Sequence, residues 1–312
     1  MKRMLLVFFT LLLCIKGISQ VLTWTPSFPT ESTSPIVITM DATKGNLGLN
    51  NYANTSDVYV HTGVITSSST SSSDWRYVKF NQNFNTTNAA LQATSIGGNK
   101  WTFTITGGIR AFYGVPVGET ILKISILFRN GNGSIVQRNS DASDMYIPVY
   151  GSTLATTLSV PPKQPTYIPK AEPISKVVGN NIAFTGISNL PANLKLYFNG
   201  SVVQTATAAT SVVASPGPVI TSAGIQTLVV EANDGVTTKY DTTKFYVAGA
   251  VNVAAVPPGL RDGINYEANN TAATFLLYAP FKNRVCLIGD LPGGSWEENT
   301  TYQLNKSTDG NY

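Results

Sequence analysis

The feature that most constrains the fold of this chain is an alternating strand closed by a turn that few residue pairs can make. Leu194-Lys-Leu-Tyr-Phe198 is followed by Asn199-Gly200 and then by Ser201-Val-Val-Gln204. Asn-Gly tolerates positive φ at both central positions of a type I′ turn, whose twist matches that of paired antiparallel strands, so the stretch reads as a β-hairpin. Thr227 to Ala232, Asn233-Asp-Gly235 and Lys244 to Val247 read as a second hairpin. Leu122, Ile124, Ile126 and Phe128 alternate with Lys123, Ser125, Leu127 and Arg129, the period-two pattern of a half-buried strand, and Asn130-Gly131 supplies a turn after it. No segment carries the period and caps of an amphipathic helix. The expected class is all-β.

Punctuation divides the chain. Pro161-Pro162-Lys163-Gln164-Pro165, with Pro169 and Pro173 behind it, reads as an extended connector, and Val256-Pro257-Pro258-Gly259 as a shorter, stiffer one. The expected domains are 21–155, 156–250 and 251–312. In the last, Gly259 to Tyr266, Thr274 to Pro280 and Arg284 to Asp290 read as the opening strands of a third β-domain. A β-sandwich takes about seven strands and roughly 100 residues, so the third domain is expected to be incomplete and the chain to be the front of a longer protein. The Ser/Thr run from Thr66 to Ser73 reads as a loop with nothing to pack. Trp101 alternates with Phe103 and Ile105 and is expected in a core.

The N-terminus gives an address. Lys2 and Arg3 precede an apolar run from Met4 to Cys14, the layout of a secretory signal peptide over 1–20 that is too short to span a bilayer. The protein is therefore expected to be secreted or at the cell surface, with no transmembrane span. Leu13 stands before Cys14 where a lipidation site takes a small residue. Three of the 21 basic residues leave with the leader, so 18 face 17 acidic ones and nothing favours nucleic acid. Cys286 is the one cysteine left, which excludes an intrachain disulfide, and its apolar surroundings suggest a buried thiol in a strand.

Much chemistry is excluded. His61 is the single histidine, so a histidine-based triad has no second candidate base and histidine-rich zinc clusters are ruled out. No phosphate-cradling glycine loop is present. Acidic residues such as Asp141, Asp144, Asp234 and Asp309 fall in turns, where loop chemistry explains them. No catalytic residue, cofactor or metal is expected.

The first domain concentrates aromatic and polar residues: His61 on a strand, Trp75 after the serine loop, and Arg110 and Tyr113 beside a turn. Flat rings flanked by polar groups suit the apolar faces and hydroxyls of sugars. Val58-Tyr-Val-His-Thr-Gly-Val-Ile65, Asp74-Trp-Arg-Tyr-Val-Lys79 and Leu122 to Arg129 resemble the N-terminal module of secreted bacterial α-amylases. With Ser143-Asp-Met-Tyr-Ile-Pro-Val149 they are similar to starch-binding modules. That resemblance implies that His61 and Trp75 stack on glucose rings; Tyr113 and Arg110 are candidates from residue chemistry alone. Tyr278-Ala-Pro280, Val285 to Leu291 and Trp296 resemble the immunoglobulin-like domain that precedes the barrel in the α-amylase and branching-enzyme family. Leu291-Pro-Gly-Gly-Ser295 intrudes on that family's spacing, which suggests a structural role for Trp296.

The resemblance implies tandem immunoglobulin-like β-sandwich domains, the third incomplete. They would form the α-glucan-binding, spacing part of an α-amylase-like glycoside hydrolase, as a monomer. The alternatives are a surface glycan-binding lipoprotein and a structural or adhesive immunoglobulin-like repeat protein.

Overall fold

The structure is a computed structural model that describes residues 20–267, 269, 271–292, 296 and 298–312. Cys14 and all but the last residue of the expected leader lie outside the described residues.

The first module contains β1 (Leu22–Thr25), β2 (Ile36–Asp41), β3 (Val58–Thr66), β4 (Thr94–Gly97) and β5 (Lys100–Ile105). After these come a one-turn helix α1 (Ile109–Tyr113), β6 (Ile121–Asn130), β7 (Val136–Gln137) and β8 (Met145–Pro148). They form two antiparallel sheets. One has the order β1-β2-β5-β4; in the other β6 pairs with β3 on one side and with β7 and β8 on the other. Alternate residues of both sheets, such as Ile36, Ile38 and Met40 on β2 and Ile124, Ile126 and Phe128 on β6, close a shared core. Trp101 lies in it, 1% exposed, with its indole N–H donating to the Thr55 carbonyl at 2.9 Å.

Strand β6 departs from the half-buried expectation. Ser125, Leu127 and Arg129, on its other face, are buried too. The reason is tertiary: the long connection from β3 to β4 folds back over this sheet. Gly63 permits the closest approach, since a Cβ there would stand 2.9 Å from the Arg76 carbonyl and 3.3 Å from the Val78 side chain. Arg129 is fully covered and survives as a charge because its guanidinium donates to the carbonyls of Asn130, Gly131 and Thr86 and lies over the Phe84 ring. The turn after β6 is longer than Asn130-Gly131, since the Asn130 N–H donates across to Ile135 O.

The second module comprises β9 (Thr156–Val160), β10 (Phe184–Phe198), β11 (Ser201–Ala214), β12 (Gly224–Asn233) and β13 (Thr238–Val247), in the order β11-β10-β12-β13 with β9 also on β10. Asn199 (φ 48°) and Gly200 (φ 84°) make the expected turn between β10 and β11. The β12–β13 hairpin runs in continuous register from Gly224↔Val247 to Asn233↔Thr238. Register breaks between Ile187 and Ala192 divide β10, whose first half pairs with β9 and whose second half pairs with β12. Phe184, Leu194, Leu196, Leu228, Val230 and Phe245 fill this module's own core.

Residues 251–312 contain two small ladders: β14 (Val253–Ala254) parallel to β17 (Lys306–Ser307), and β15 (Gly263–Tyr266) antiparallel to β16 (Ala273–Leu276). Cys286 is half-buried rather than buried and sits in no strand. It makes only an isolated bridge to Gln303, with its sulfur beside Arg284 and the Asn299 carbonyl. Trp296 is 70% exposed, its indole N–H donating to Asp290 at 3.1 Å.

The proline-rich connector is pinned to both modules. On the first-module side, Tyr146 N–H donates to Pro165 O at 2.8 Å, the Lys123 ammonium donates to Tyr167 O, and Lys170 pairs with Asp141. On the second-module side, Lys163 pairs with Asp241 and Glu172 N–H donates to Lys244 O at 2.7 Å. Proline sets the extended backbone, and these contacts decide where it lies.

Candidate functional site

Neighbouring residues on a strand point to opposite faces of its sheet. On β3, Val58, Val60 and Val64 enter the core, and Thr62 points the same way; His61 therefore faces outward, under the folded-back β3–β4 connection. Trp75 stands on that connection, held at the edge of β3 by paired backbone hydrogen bonds between Val64 and Arg76. The two rings meet, centroids 5.7 Å apart and 25° from coplanar.

Further rings extend the contact. Phe84 meets His61 edge-on at 5.1 Å, Tyr146 of β8 meets Trp75 at 6.3 Å, and Tyr167 of the connector meets Tyr146 at 5.4 Å. The result is a ridge of five rings, with Tyr146 buried inside it (3% exposed) and the other four half-buried. Trp75 is oriented within it, because its indole N–H is shared between the Ser72 carbonyl (3.0 Å) and the Tyr146 hydroxyl (3.3 Å). The Tyr146 hydroxyl in turn donates to Ser72 O at 2.7 Å. The Ser/Thr loop thus anchors the aromatic edge while exposing Ser71, Ser72 and Ser73 to solvent.

Burial governs the electrostatics here. It lowers the His61 pKa from its ordinary 6.5, and the nearby Arg129 charge lowers it further, against a weaker pull from Gln82. His61 Nδ1 is buried and has no protein hydrogen-bond partner. Burial also pushes the Tyr146 phenol up to about 12. His61 is thus a neutral ring supporting Trp75 from within. Half-buried Trp75 keeps part of its surface open, whereas a sugar would have to displace Trp75 to stack on His61.

Two candidates lie elsewhere. Tyr113 is 6% exposed and fills the core on the opposite face of β3, with its hydroxyl bonded to Thr62 Oγ1 at 2.6 Å and its pKa raised by burial. It offers no platform. Arg110 closes a structural clamp: its Nε and Nη2 donate to Glu31 Oε2 at 3.0 and 2.5 Å. Its remaining bonds go to the carbonyls of Val115, Pro116 and Glu119. That guanidinium is committed to holding the β1–β2 and α1–β6 connections together. Both residues stand out in the sequence by their chemistry beside a turn, and the fold directs that chemistry inward.

Phe84, Tyr146 and Tyr167 belong to the ridge and escape the sequence reading. Tyr146 carries a usable signal, since it alternates with the apolar Met145 and Ile147. Tyr167 and Phe84 lie in irregular segments where no period assigns a face. Tyr77 (φ 51°), Phe80 (φ 60°) and Asn81 (φ 44°) hold left-handed backbone beside Trp75, at roughly 1–3 kcal/mol each. The Tyr77 hydroxyl bond to Glu119 (2.6 Å) and the Lys79 bond to Phe112 O hold this segment in place. Among the described residues, no group of three or more His, Cys, Asp or Glu is placed to hold a metal, and no helix is long and apolar enough to cross a membrane.

No known family pattern matches the chain, and no curated protein matches it. Among solved structures, it is similar to the fibronectin(III)-like modules of Clostridium thermocellum CbhA, at 12% identity over 72% of this chain and 93% of that one, with a TM-score of 0.23. It is also similar to a chimeric titin Z1Z2–Z1Z2 tandem functionalized with a GRGDS peptide from fibronectin, at 10% identity over 72% and 98%, with a TM-score of 0.20. Among the described residues the fold is all-β, with antiparallel sheets forming the first and second modules. Any functional reading rests on the chain's own side chains.

Proposed function

We propose that the first module is a non-catalytic glycan-binding module that presents Trp75 to a neutral α-glucan. The observation that carries this reading is the braced indole: stacked on His61, fixed through its N–H, and bordered by a hydroxyl-rich loop. A ring held this way offers an apolar face for a pyranose and loses little freedom on binding, which is where a shallow site gains affinity. Tyr167 lies farther along the ridge, beyond the buried Tyr146. His61 positions Trp75 without contacting the sugar.

In the α-amylase-like setting that the sequence resembles, such a module raises the local concentration of polysaccharide around a tethered catalytic domain. Secretion or display at the cell surface as a monomer belongs to the same proposal.

Affinity gel electrophoresis of the whole protein against soluble starch tests it. Retardation that is lost in Trp75→Ala is the expected result. Migration unchanged by starch overturns it and leaves a structural or adhesive repeat protein.

A further inference from the structure

A second place in the molecule, which shares Tyr146 with the ridge, has the chemistry of a sugar site. A cleft of about 450 Å³ opens between the first and second modules, within the range of roughly 300–1,000 Å³ typical of small-ligand pockets. Trp24 on β1 and Tyr150 line it from the first module; Lys163 and Glu172 of the connector and Asp241 on β13 line it from the other side. Trp24 packs partly against the first core and contributes an indole to the cleft wall.

Charge selects the ligand class. Lys163 is bound to both carboxylate oxygens of Asp241, so that pair cancels. Lys123, also in the wall, is committed to Tyr167 O and opposes a cationic guest. Glu172, when ionised, opposes an anion. A neutral guest is left.

Glu172 then specifies what that guest must carry. It is 6% exposed; its two oxygens share the Gln164 N–H at 3.0 and 3.1 Å, and the Gln164 side chain and the Lys163 charge add to that, which leaves it short of the donors a carboxylate can take. A carboxylate accepts about four hydrogen bonds, and a buried one that is short of donors is costly. Hydroxyl donors beside an indole face are what a pyranose ring supplies.

We propose that this inter-module cleft is a second glycan subsite, in which a neutral hexose unit packs on Trp24 and donates hydroxyl hydrogens to Glu172. The choice of an α-glucan as guest rests on the reading of the first module given above; the cleft's own residues require only a neutral, donor-rich ring. Occupied together with Trp75, it makes the pair of modules bivalent along one chain.

Calorimetric titration of the whole protein with maltoheptaose, cellohexaose and xylohexaose tests this, using Trp24→Ala, Glu172→Gln and Trp75→Ala. Two sites per chain are expected. Trp24→Ala removes one of them, and at about pH 8, where Glu172 is ionised, Glu172→Gln weakens that same one by about tenfold, the scale of one hydrogen bond to a charged acceptor. Trp24→Phe, which keeps a ring, restores part of the binding and separates this loss from misfolding. A single site abolished by Trp75→Ala and untouched by Trp24→Ala or Glu172→Gln overturns the cleft and leaves the first-module reading standing. A single site lost only in the cleft variants does the reverse. No heat with any of the three sugars overturns both.

Discussion

Glu172→Gln probes the inter-module joint without reference to any ligand. Desolvation of the buried carboxyl, only partly offset by the Gln164 N–H, the Lys163 charge and the Gln164 side chain, pushes its pKa from 4.5 up to about 7. A group whose folded pKa is raised contributes stability below its unfolded pKa and loses it as pH climbs through the folded one. Glu172 therefore favours the folded state below pH 4.5, and that contribution fades until it is spent above about pH 7. Each tenfold change in proton affinity is worth about 1.4 kcal/mol, so the swing is about 3 kcal/mol. The glutamine put in its place by Glu172→Gln would carry no charge at any of these pH values and keep an acceptor for the Gln164 N–H. The wild type minus variant difference in unfolding free energy is thus expected to fall by about 3 kcal/mol between about pH 4 and pH 8. Urea unfolding monitored on the second module measures it. Taking the difference cancels the His61 titration, which acts with opposite sign in an overlapping range. A flat difference, or one that rises with pH, refutes the assignment of Glu172 as a desolvated carboxyl.

The other predictions concern the first module. His61 is the only histidine, so its imidazole proton resonance is unambiguous; its titration midpoint is expected below 6.5, and a midpoint at or above that value contradicts the covered, Arg129-facing ring. His61→Ala should reduce starch retardation less than Trp75→Ala does, since one braces the platform and the other forms it; retardation gels run side by side compare them. Tyr113→Phe removes one buried hydrogen bond while Thr62 keeps its bond to Ser125 O, so it should cost about 1 kcal/mol in chemical denaturation and leave sugar binding unchanged. Arg110→Ala takes away both donors to Glu31 Oε2, leaving that carboxylate only the Ile121 N–H on Oε1, and removes the guanidinium from the Val115 and Glu119 carbonyls. It should destabilise the module by about 1–3 kcal/mol in the same assay, again without loss of binding.

Local chemistry made some of this structure legible from residues alone. The Asn199-Gly200 turn and the β12–β13 hairpin depend on φ preferences and period-two alternation within a few residues, and both form where the sequence places them. Trp101, Phe103 and Ile105 alternate into the core for the same reason. The failures share a cause as well. The alternation of Leu122 to Phe128 shows that two faces exist, but a covering loop that departs from β3 and folds back across Gly63 decides that both are buried from Ile124 onward, while Leu122, expected inward, is left exposed at the strand's start. Arg129 looks solvated in sequence and is sealed under Phe84.

For function, the sequence by itself determined the aromatic and polar supply, the single histidine and the shortage of catalytic groups. It brought His61 and Trp75 to notice through residues fourteen positions apart. Only the tertiary structure decided their roles, because packing distributes solvent: His61 lies beneath, Trp75 stays partly open, Tyr113 turns into the core and Arg110 is consumed by Glu31 and backbone carbonyls. The cleft lined by Trp24 and Glu172 exists only where a proline-rich segment lies against two modules. Strand period and turn propensity act within a few residues, whereas that joint is set by contacts between side chains far apart in the chain.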